Sequence, residues 1–184
     1  MRGRFKDHDL WIAVRQAVGE VTEQSLRELT ELDWSEYRAE AGEYWAAIYD
    51  LAGLELCESL RRLSLDGNGV KSLRPLSGLA RLEELWLVQN QVTDVRPLAG
   101  LPRLRVLALA MNPRLKSVAA LAGSASLEDL DLTGTAVTNL SPLLEVGSLR
   151  RLDWRPPSAT SEPLLRRADR VIAELTARGV AVHQ

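Results

Sequence analysis

The chain has 184 residues and nearly balanced charge, with 23 Lys and Arg against 25 Asp and Glu. Its length suits one domain with a sizeable core, and the balanced charge disfavours a nucleic-acid or anionic-membrane binder. Cys57, His8 and His183 are its only cysteine and histidines, so no internal disulfide or Cys/His zinc site is expected, and we predict no metal and no cofactor.

The N-terminal segment predicts no export signal. Its apolar stretch from Leu10 to Val18 is interrupted by Arg15 and Gln16, and nowhere do about eighteen apolar residues run together. We therefore expect a cytoplasmic protein with no membrane partner.

Two short helices are predicted at the start of the chain. Asp9 can cap a helix that begins at Leu10 and ends at Gly19, and Thr22 can cap a second helix through Leu26. We interpret them as a cap that covers the first layer of the core.

Leucine dominates the middle of the chain, with 27 of the 34 leucines between Leu51 and Leu152. They recur in units of the form Leu-x-x-Leu-x-Leu-x-x-Asn whose starts lie 22, 22, 23 and 22 residues apart, at Leu60, Leu82, Leu104, Leu127 and Leu149. The Leu-x-Leu alternation predicts a short strand in each unit with its leucines on one face. Each coil then buries its leucines against its neighbours, as in a solenoid.

This motif and period resemble the 22-residue, internalin-like class of bacterial leucine-rich repeat proteins, including the Pro-Leu-x-x-Leu second half seen at Pro75. The resemblance implies an α/β fold: a leucine-rich repeat solenoid forming a right-handed arc with a concave parallel sheet and helical caps. It also implies an Asn ladder at Asn68, Asn90 and Asn112. Thr135 departs from the ladder and predicts weaker bonding there, because it has no amide.

The first repeat is predicted to carry an insertion. The motif also matches Leu29 and Leu32, which gives a repeat that starts 31 residues before Leu60. This spacing is nine residues longer than one period, and the extra residues fall within Ser35 to Tyr49. Apolar residues recur there at helical spacing, at Tyr37, Ala41, Tyr44, Trp45 and Ile48. We assign 1–50 to the cap and this first repeat, 51–155 to the remaining repeats and 156–184 to a C-terminal cap, in one continuous domain.

The C-terminal cap is predicted as a helix followed by a strand. Ser161 can cap the helix, Pro163 suits its first turn, and Gly179 ends it, after which Val180 and Val182 alternate as in a strand. With both caps present we expect a complete small protein; the alternative is a repeat module from a longer chain.

Enzyme chemistry finds little support in the sequence, because no phosphate-binding loop, zinc-protease motif or nucleophile elbow occurs. Cys57 is expected to be a half-buried packing residue between coils. The acidic pairs Glu83–Glu84 and Asp129–Asp131 are expected to be solvated. We therefore expect no enzymatic activity.

Residues that alternate with the inward leucines should face the concave side in three columns. The columns are Glu31, Arg62, Glu84, Val106, Asp129, Arg151; then Asp33, Ser64, Trp86, Ala108, Asp131, Asp153; then Ser35, Asp66, Val88, Ala110, Thr133, Arg155. Their middle is apolar, at Trp86, Val88, Val106, Ala108 and Ala110. Their rim is acidic, at Glu31, Asp33, Asp66, Glu84, Asp129, Asp131 and Asp153.

A Trp on a solvent-facing sheet is typical of an interface anchor. We predict a non-catalytic protein-interaction module, an adaptor or regulator, that binds a partner with a basic or neutral surface. The predicted partner-binding residues are Trp86, Val88, Val106, Ala108, Glu84, Asp129, Asp131 and Asp153.

Several alternatives stay open. In one, the Ser35 to Tyr49 insertion covers Trp86, and in another the patch has no role. An enzyme or small-ligand receptor would use Asp129, Asp131 and Asp153 in a deep pocket. A nucleic-acid binder would use an arginine stripe along one edge, at Arg61, Arg62, Arg81, Arg103, Arg105, Arg150 and Arg151.

Overall fold

Seven short parallel strands form one sheet in the computed structural model, which describes residues 1–35, 47–158 and 160–184. They are β1 (Glu31–Asp33), β2 (Arg62–Ser64), β3 (Glu84–Trp86), β4 (Val106–Ala108), β5 (Asp129–Asp131), β6 (Arg151–Asp153) and β7 (Ala181–His183). Each pairs with the next along the chain. The predicted leucine-rich repeat solenoid is confirmed, and the C-terminal strand joins the sheet beyond the six repeat strands.

The register of the sheet stacks the central leucine of each strand on its neighbours. Leu63 pairs with Leu85, Leu85 with Leu107, and the series continues through Leu130 and Leu152. These five side chains are at most 1% exposed. The predicted inward position of the leucines is therefore confirmed, and the strand pairing also confirms the register of the first two columns on the opposite face.

The second half of each coil returns the chain through a short 3-10 helix. These lie at Leu54–Leu56, Arg74–Leu76, Arg96–Leu98, Ala119–Leu121 and Ser141–Glu145. Proline occupies the first turn of three of them, at Pro75, Pro97 and Pro142, where its missing N–H costs no helix hydrogen bond. The leucine core lies between the sheet and these segments.

The asparagine ladder joins neighbouring coils. The Asn112 Oδ1 accepts the Val92 N–H of the preceding coil at 2.8 Å, and Asn90 accepts the Val70 N–H at 2.9 Å. The Thr135 hydroxyl instead donates to the Leu132 carbonyl of its own coil at 2.7 Å. The expected weakening of the ladder at the fourth coil is therefore present.

The residue before each ladder position adopts a left-handed backbone. Gly67 and Gly134 do so without a side chain, at φ 72° and 71°. Gln89 and Met111 occupy the same place in the second and third coils at φ 56° and 57°, where a Cβ is strained. The left-handed turn before the ladder residue is therefore kept in all four coils, including the two in which a side chain disfavours that backbone conformation.

The N-terminal cap consists of α1 (His8–Val18) and α2 (Glu23–Glu28). The predicted cap of α1 at Asp9 is wrong: Asp7 lies in extended backbone, and its Oδ1 accepts the N–H groups of Asp9 and Leu10. The helix therefore begins at His8, two residues before the predicted start. Thr22 caps α2 as predicted, in a reciprocal pair with Ser25.

Asp7 also fastens the cap to the first coil. Its second oxygen, Oδ2, accepts the backbone N–H groups of Tyr49 at 2.8 Å and Asp50 at 3.3 Å. One carboxylate thus serves two segments that are far apart in the sequence.

The C-terminal cap is α3 (Glu162–Ala177) followed by β7. Ser161 precedes α3 as predicted, but it accepts the helical N–H groups of Leu164 and Leu165 with its backbone carbonyl and makes no side-chain cap bond. Ala168, Val171 and Leu175 of α3 are buried against the core. Among the helices that the structure describes, none is long and apolar enough to cross a membrane.

The predicted insertion falls largely outside the described residues. Tyr37, Ala41, Tyr44 and Trp45 all lie in the interval 36–46. Ile48, which follows it, is fully buried and not helical, and its N–H donates to the Asn68 Oδ1 at 2.8 Å. Asn68 thus joins its coil to the first coil through Ile48.

Candidate protein-docking surface

The strand register brings the predicted site residues onto one side of the sheet, here called the outer face. Glu84, Val106 and Asp129 are neighbours in one column. Trp86, Ala108, Asp131 and Asp153 follow one another in the next. Val88 continues β3 beyond Trp86. Strand pairing thus brings together residues that are scattered over 70 positions of the sequence.

The centre of the outer face is apolar and accessible. Trp86, Val88, Val106 and Ala108 are all half-buried, so each keeps surface that a partner can contact. We call these four residues the apolar patch. Ala110 was expected beside them, but it is 7% exposed and contributes almost no surface, because it lies where the chain turns inward.

Met111 is an exposed apolar residue next to the patch that the sequence analysis missed. It is 51% exposed in the turn after β4, and its left-handed backbone directs the side chain away from the core. The sequence does indicate its position, because Met111 directly precedes the ladder residue Asn112 and the residue at that place occupies the turn after the strand. The sulfur of Met111 lies over Gly134, where an added Cβ would come within 2.6 Å of it.

Three acidic residues of the outer face already have cationic or imidazole partners. Arg62 lies between Glu31 and Glu84, at 3.4 Å from a carboxylate oxygen of each. Asp153 contacts the Arg151 Nε at 2.9 Å and the His183 Nδ1 at 2.6 Å. Glu84 and Asp153, both predicted as partner-binding, are therefore engaged within the chain.

Four other carboxylates of the outer face form no ion pair with any described residue: Asp33, Asp66, Asp129 and Asp131. Backbone N–H groups fix three of them. Asp66 Oδ1 accepts from Val88 at 2.7 Å, Asp131 Oδ1 from Thr133 at 2.9 Å and Asp33 Oδ1 from Ser35 at 2.9 Å, and the Ser35 hydroxyl also donates to Asp33. Burial raises the pKa of Asp66, and the charge of Asp33 raises it further. We call these four the open carboxylates.

Cys57 has the properties of a packing residue. It is fully buried, rather than half-buried as predicted, and burial with the nearby Glu55 carboxylate raises the pKa of its thiol to about 12. A thiolate is required for nucleophilic attack, so this cysteine is unreactive near neutral pH. In the described part of the chain, no group of three or more His, Cys, Asp or Glu could hold a metal ion.

The predicted arginine stripe alternates with acids at the edge where the strands begin. Arg61 pairs with Glu83 at 3.1 Å, and Arg105 pairs with Glu128 at 3.3 Å. A groove of about 360 Å³ lies along this edge, lined by Glu83, Pro102, Arg103, Arg105, Ala125, Ser126, Glu128 and Ser148. Its charges are mixed, and Asp129, Asp131 and Asp153 do not line it.

The comparisons with known proteins agree with this architecture. A family model described as leucine-rich repeats in two copies matches residues 58–100 and 80–123. No curated protein sequence matches the chain. The crystal structure of an internalin, inlF, from Listeria monocytogenes is similar with a TM-score of 0.75 and 25% identity over 90% of this chain.

An internalin C2 from the same species is similar with a TM-score of 0.57 and 24% identity, again over 90% of this chain and 81% of the other. The chain spans 48% of the inlF chain, about half its length. The repeat motif, the single parallel sheet and these similarities lead to one assignment. The chain has a leucine-rich repeat solenoid fold, and it is similar to the internalins in that fold and in its 22-residue repeat.

Proposed function

We propose that the chain is a non-catalytic protein-interaction module that binds a partner protein on the outer face of its sheet, around Trp86. Leucine-rich repeat proteins generally bind other proteins, and the half-buried residues of the apolar patch keep surface that a partner can contact. The observation that carries the proposal is the half-buried indole at the centre of the apolar patch.

The fold does not require an indole at position 86. The equivalent residues in the neighbouring strands are Ser64, Ala108, Asp131 and Asp153, and all of these coils keep the same register. A large aromatic side chain in such a slot stabilises a complex when a partner desolvates it. The patch around it supplies further apolar surface from Val88 and from Val106 and Ala108 of the neighbouring strand β4.

The charge of the outer face favours a basic or neutral partner surface. Its three columns hold seven carboxylates and three arginines, a formal balance of −4, whereas the whole chain carries −2. Opposite charge accelerates association and disfavours wrong partners. The acidic face and the paired arginines at the strand edge both argue for a protein partner rather than a nucleic acid.

An enzyme or ligand receptor built on Asp129, Asp131 and Asp153 has less support. Asp153 is held by Arg151 and His183, and the groove along the strand edge contains none of the three. The buried Cys57 thiol offers no nucleophile in their place.

The test is affinity purification from the cell of origin with the wild-type chain, Trp86→Ala and Leu164→Ala. Leu164 is a matched control because it is an exposed apolar residue on α3, away from the sheet. We expect a partner that Leu164→Ala retains and Trp86→Ala loses. With the purified partner, Trp86→Ala should weaken binding by about 2 kcal/mol or more, roughly thirtyfold.

Two results would contradict the proposal. One is equal recovery of every bound protein by Trp86→Ala and the wild type. The other is a fall in the unfolding midpoint of Trp86→Ala as large as that of Leu85→Ala, which would make the indole part of the chain's own core.

A further inference from the structure

We propose that the partner segment carries two basic positions on either side of an apolar anchor, one contacting Asp33 and Asp66 and the other contacting Asp129 and Asp131. This inference rests on the proposed function and specifies the partner of the same surface. It follows from where the open carboxylates lie relative to the apolar patch.

The four open carboxylates are divided by the patch. Asp33 belongs to β1, Asp66 lies two residues after β2, and Asp129 and Asp131 belong to β5. The patch occupies β3 and β4, between the two pairs. Going along the sheet, the outer face therefore presents negative, apolar and negative regions in that order.

The remaining acids do not offer the same attraction to an incoming cation. Arg62 compensates Glu31 and Glu84, and Arg151 compensates Asp153. A basic side chain that approached them would have to displace an arginine already in place. A basic side chain that binds the open carboxylates displaces no described arginine. Its electrostatic attraction is therefore strongest at those four residues.

Asp33 and Asp66 repel each other, and no described cation pairs with either. Asp66 is half-buried and held by the Val88 N–H, and Asp33 adds a like charge nearby. A guanidinium or ammonium group placed between the two would relieve that repulsion and form charge-assisted hydrogen bonds.

Small side chains leave room beside the indole on both sides. Ser64 separates Asp33 from Trp86 in the central column, and Ala108 separates Trp86 from Asp131. A long basic side chain can lie over either small residue, with its charged end at a carboxylate and its methylenes against the ring. The same arrangement on both sides is the reason for inferring two basic positions rather than one.

The distance between the two pairs limits the spacing in the partner. Three strand intervals separate β2 from β5, which at the usual strand separation is about 14 Å. An extended segment covers that distance in about four residues, and a helix covers it in about ten. A basic, apolar, basic sequence at either spacing fits the surface.

The experiment selects peptides from a random 16-residue display library on the immobilised full chain. Sixteen residues accommodate both spacings. We expect enrichment of sequences with Lys or Arg on both sides of an aromatic or aliphatic residue. Enrichment of acidic peptides, or no enrichment of the two-sided basic pattern, overturns the inference.

Charge-removing variants then test where the selected peptides bind. Asp66→Asn and Asp131→Asn keep an oxygen for the backbone hydrogen bond while they remove the charge, and each should weaken binding about tenfold. The matched control is Glu31→Gln, which also removes one charge from the outer face but leaves Arg62 paired with Glu84. It should change binding less than twofold, and circular dichroism should show all three variants folded.

The outcomes separate this inference from the proposed function. Peptides that depend on Trp86 but lose no affinity in Asp66→Asn or Asp131→Asn would refute the two-position inference and leave the docking surface standing. A loss in Glu31→Gln as large as in Asp66→Asn would refute it too, because net charge would then suffice. Selected peptides that bind Trp86→Ala as tightly as the wild type would refute both proposals.

Discussion

Replacing Asn112 by Ala should cost far more stability than its size suggests. Asn112 is fully buried, and its side chain joins its own coil to the preceding one. The Oδ1 accepts the Val92 N–H, and the Nδ2 donates to the Leu87 carbonyl at 2.8 Å and the Leu109 carbonyl at 2.9 Å, with a longer contact of 3.2 Å to the Ala110 carbonyl.

The magnitude follows from what the substitution leaves behind. The Ala110 carbonyl still accepts the Gln89 N–H at 2.9 Å. Within the described residues, the Val92 N–H and the Leu87 and Leu109 carbonyls have no second protein partner. A buried polar group left without a hydrogen bond costs about 1 to 3 kcal/mol, so the three together should lower the free energy of unfolding by about 3 kcal/mol or more.

Two matched variants isolate this effect. Thr135→Ala removes the fourth ladder residue, whose hydroxyl bonds within its own coil, and should cost about 1 kcal/mol. Asn139→Ala removes an exposed Asn that accepts the Ser141 N–H at 3.2 Å and should stay within about 0.5 kcal/mol of wild type. Urea unfolding followed by circular dichroism gives the three values. If Asn112→Ala and Thr135→Ala shift the midpoint equally, the ladder does not join the coils as described.

Three further predictions concern the core and the turns. Leu107→Ala should cost roughly 2 to 5 kcal/mol in urea unfolding, because it removes a fully buried side chain from the leucine stack, and an unchanged midpoint would disprove the inward register. The Cys57 thiol, with its pKa raised to about 12 by burial and Glu55, should resist a thiol reagent at pH 8 until denaturant unfolds the chain; rapid labelling of the native protein would show that this site opens to solvent. Gln89→Gly should stabilise the fold by about 0.5 to 1 kcal/mol, because the left-handed turn is occupied by Gly67 in the preceding coil, and a lower melting temperature would contradict that account.

The leucine period was sufficient to predict the strands and their register. Leu63, Leu85 and Leu107 recur at fixed intervals, and a parallel stack of equal coils can pair them in only one way without exposing a face of leucines. Burial of the leucines then fixes which residues point outward. Trp86 could therefore be placed on the outer face before any coordinates were known.

Charge pairing across the strands was not predictable in the same way. The columns put Arg62 beside both Glu31 and Glu84, but side-chain rotamers decide that it contacts both and that Arg151 contacts Asp153. The cap of α1 was misplaced for a related reason. Asp9 satisfies the local sequence rule for a helix cap. Asp7 also accepts hydrogen bonds from the backbone of Tyr49 and Asp50, which a local rule does not consider.

The double use of Asp7 has a consequence for the order of folding during synthesis. Tyr49 lies 42 residues after Asp7, so the second oxygen of the carboxylate has no partner until that much more chain has left the ribosome. Helix α1 can form early with only its local hydrogen bonds, but its hydrogen bonds to the first coil form only when Tyr49 and Asp50 are in place. The N-terminal helix and the first coil should therefore acquire protection from hydrogen exchange together, in one cooperative step.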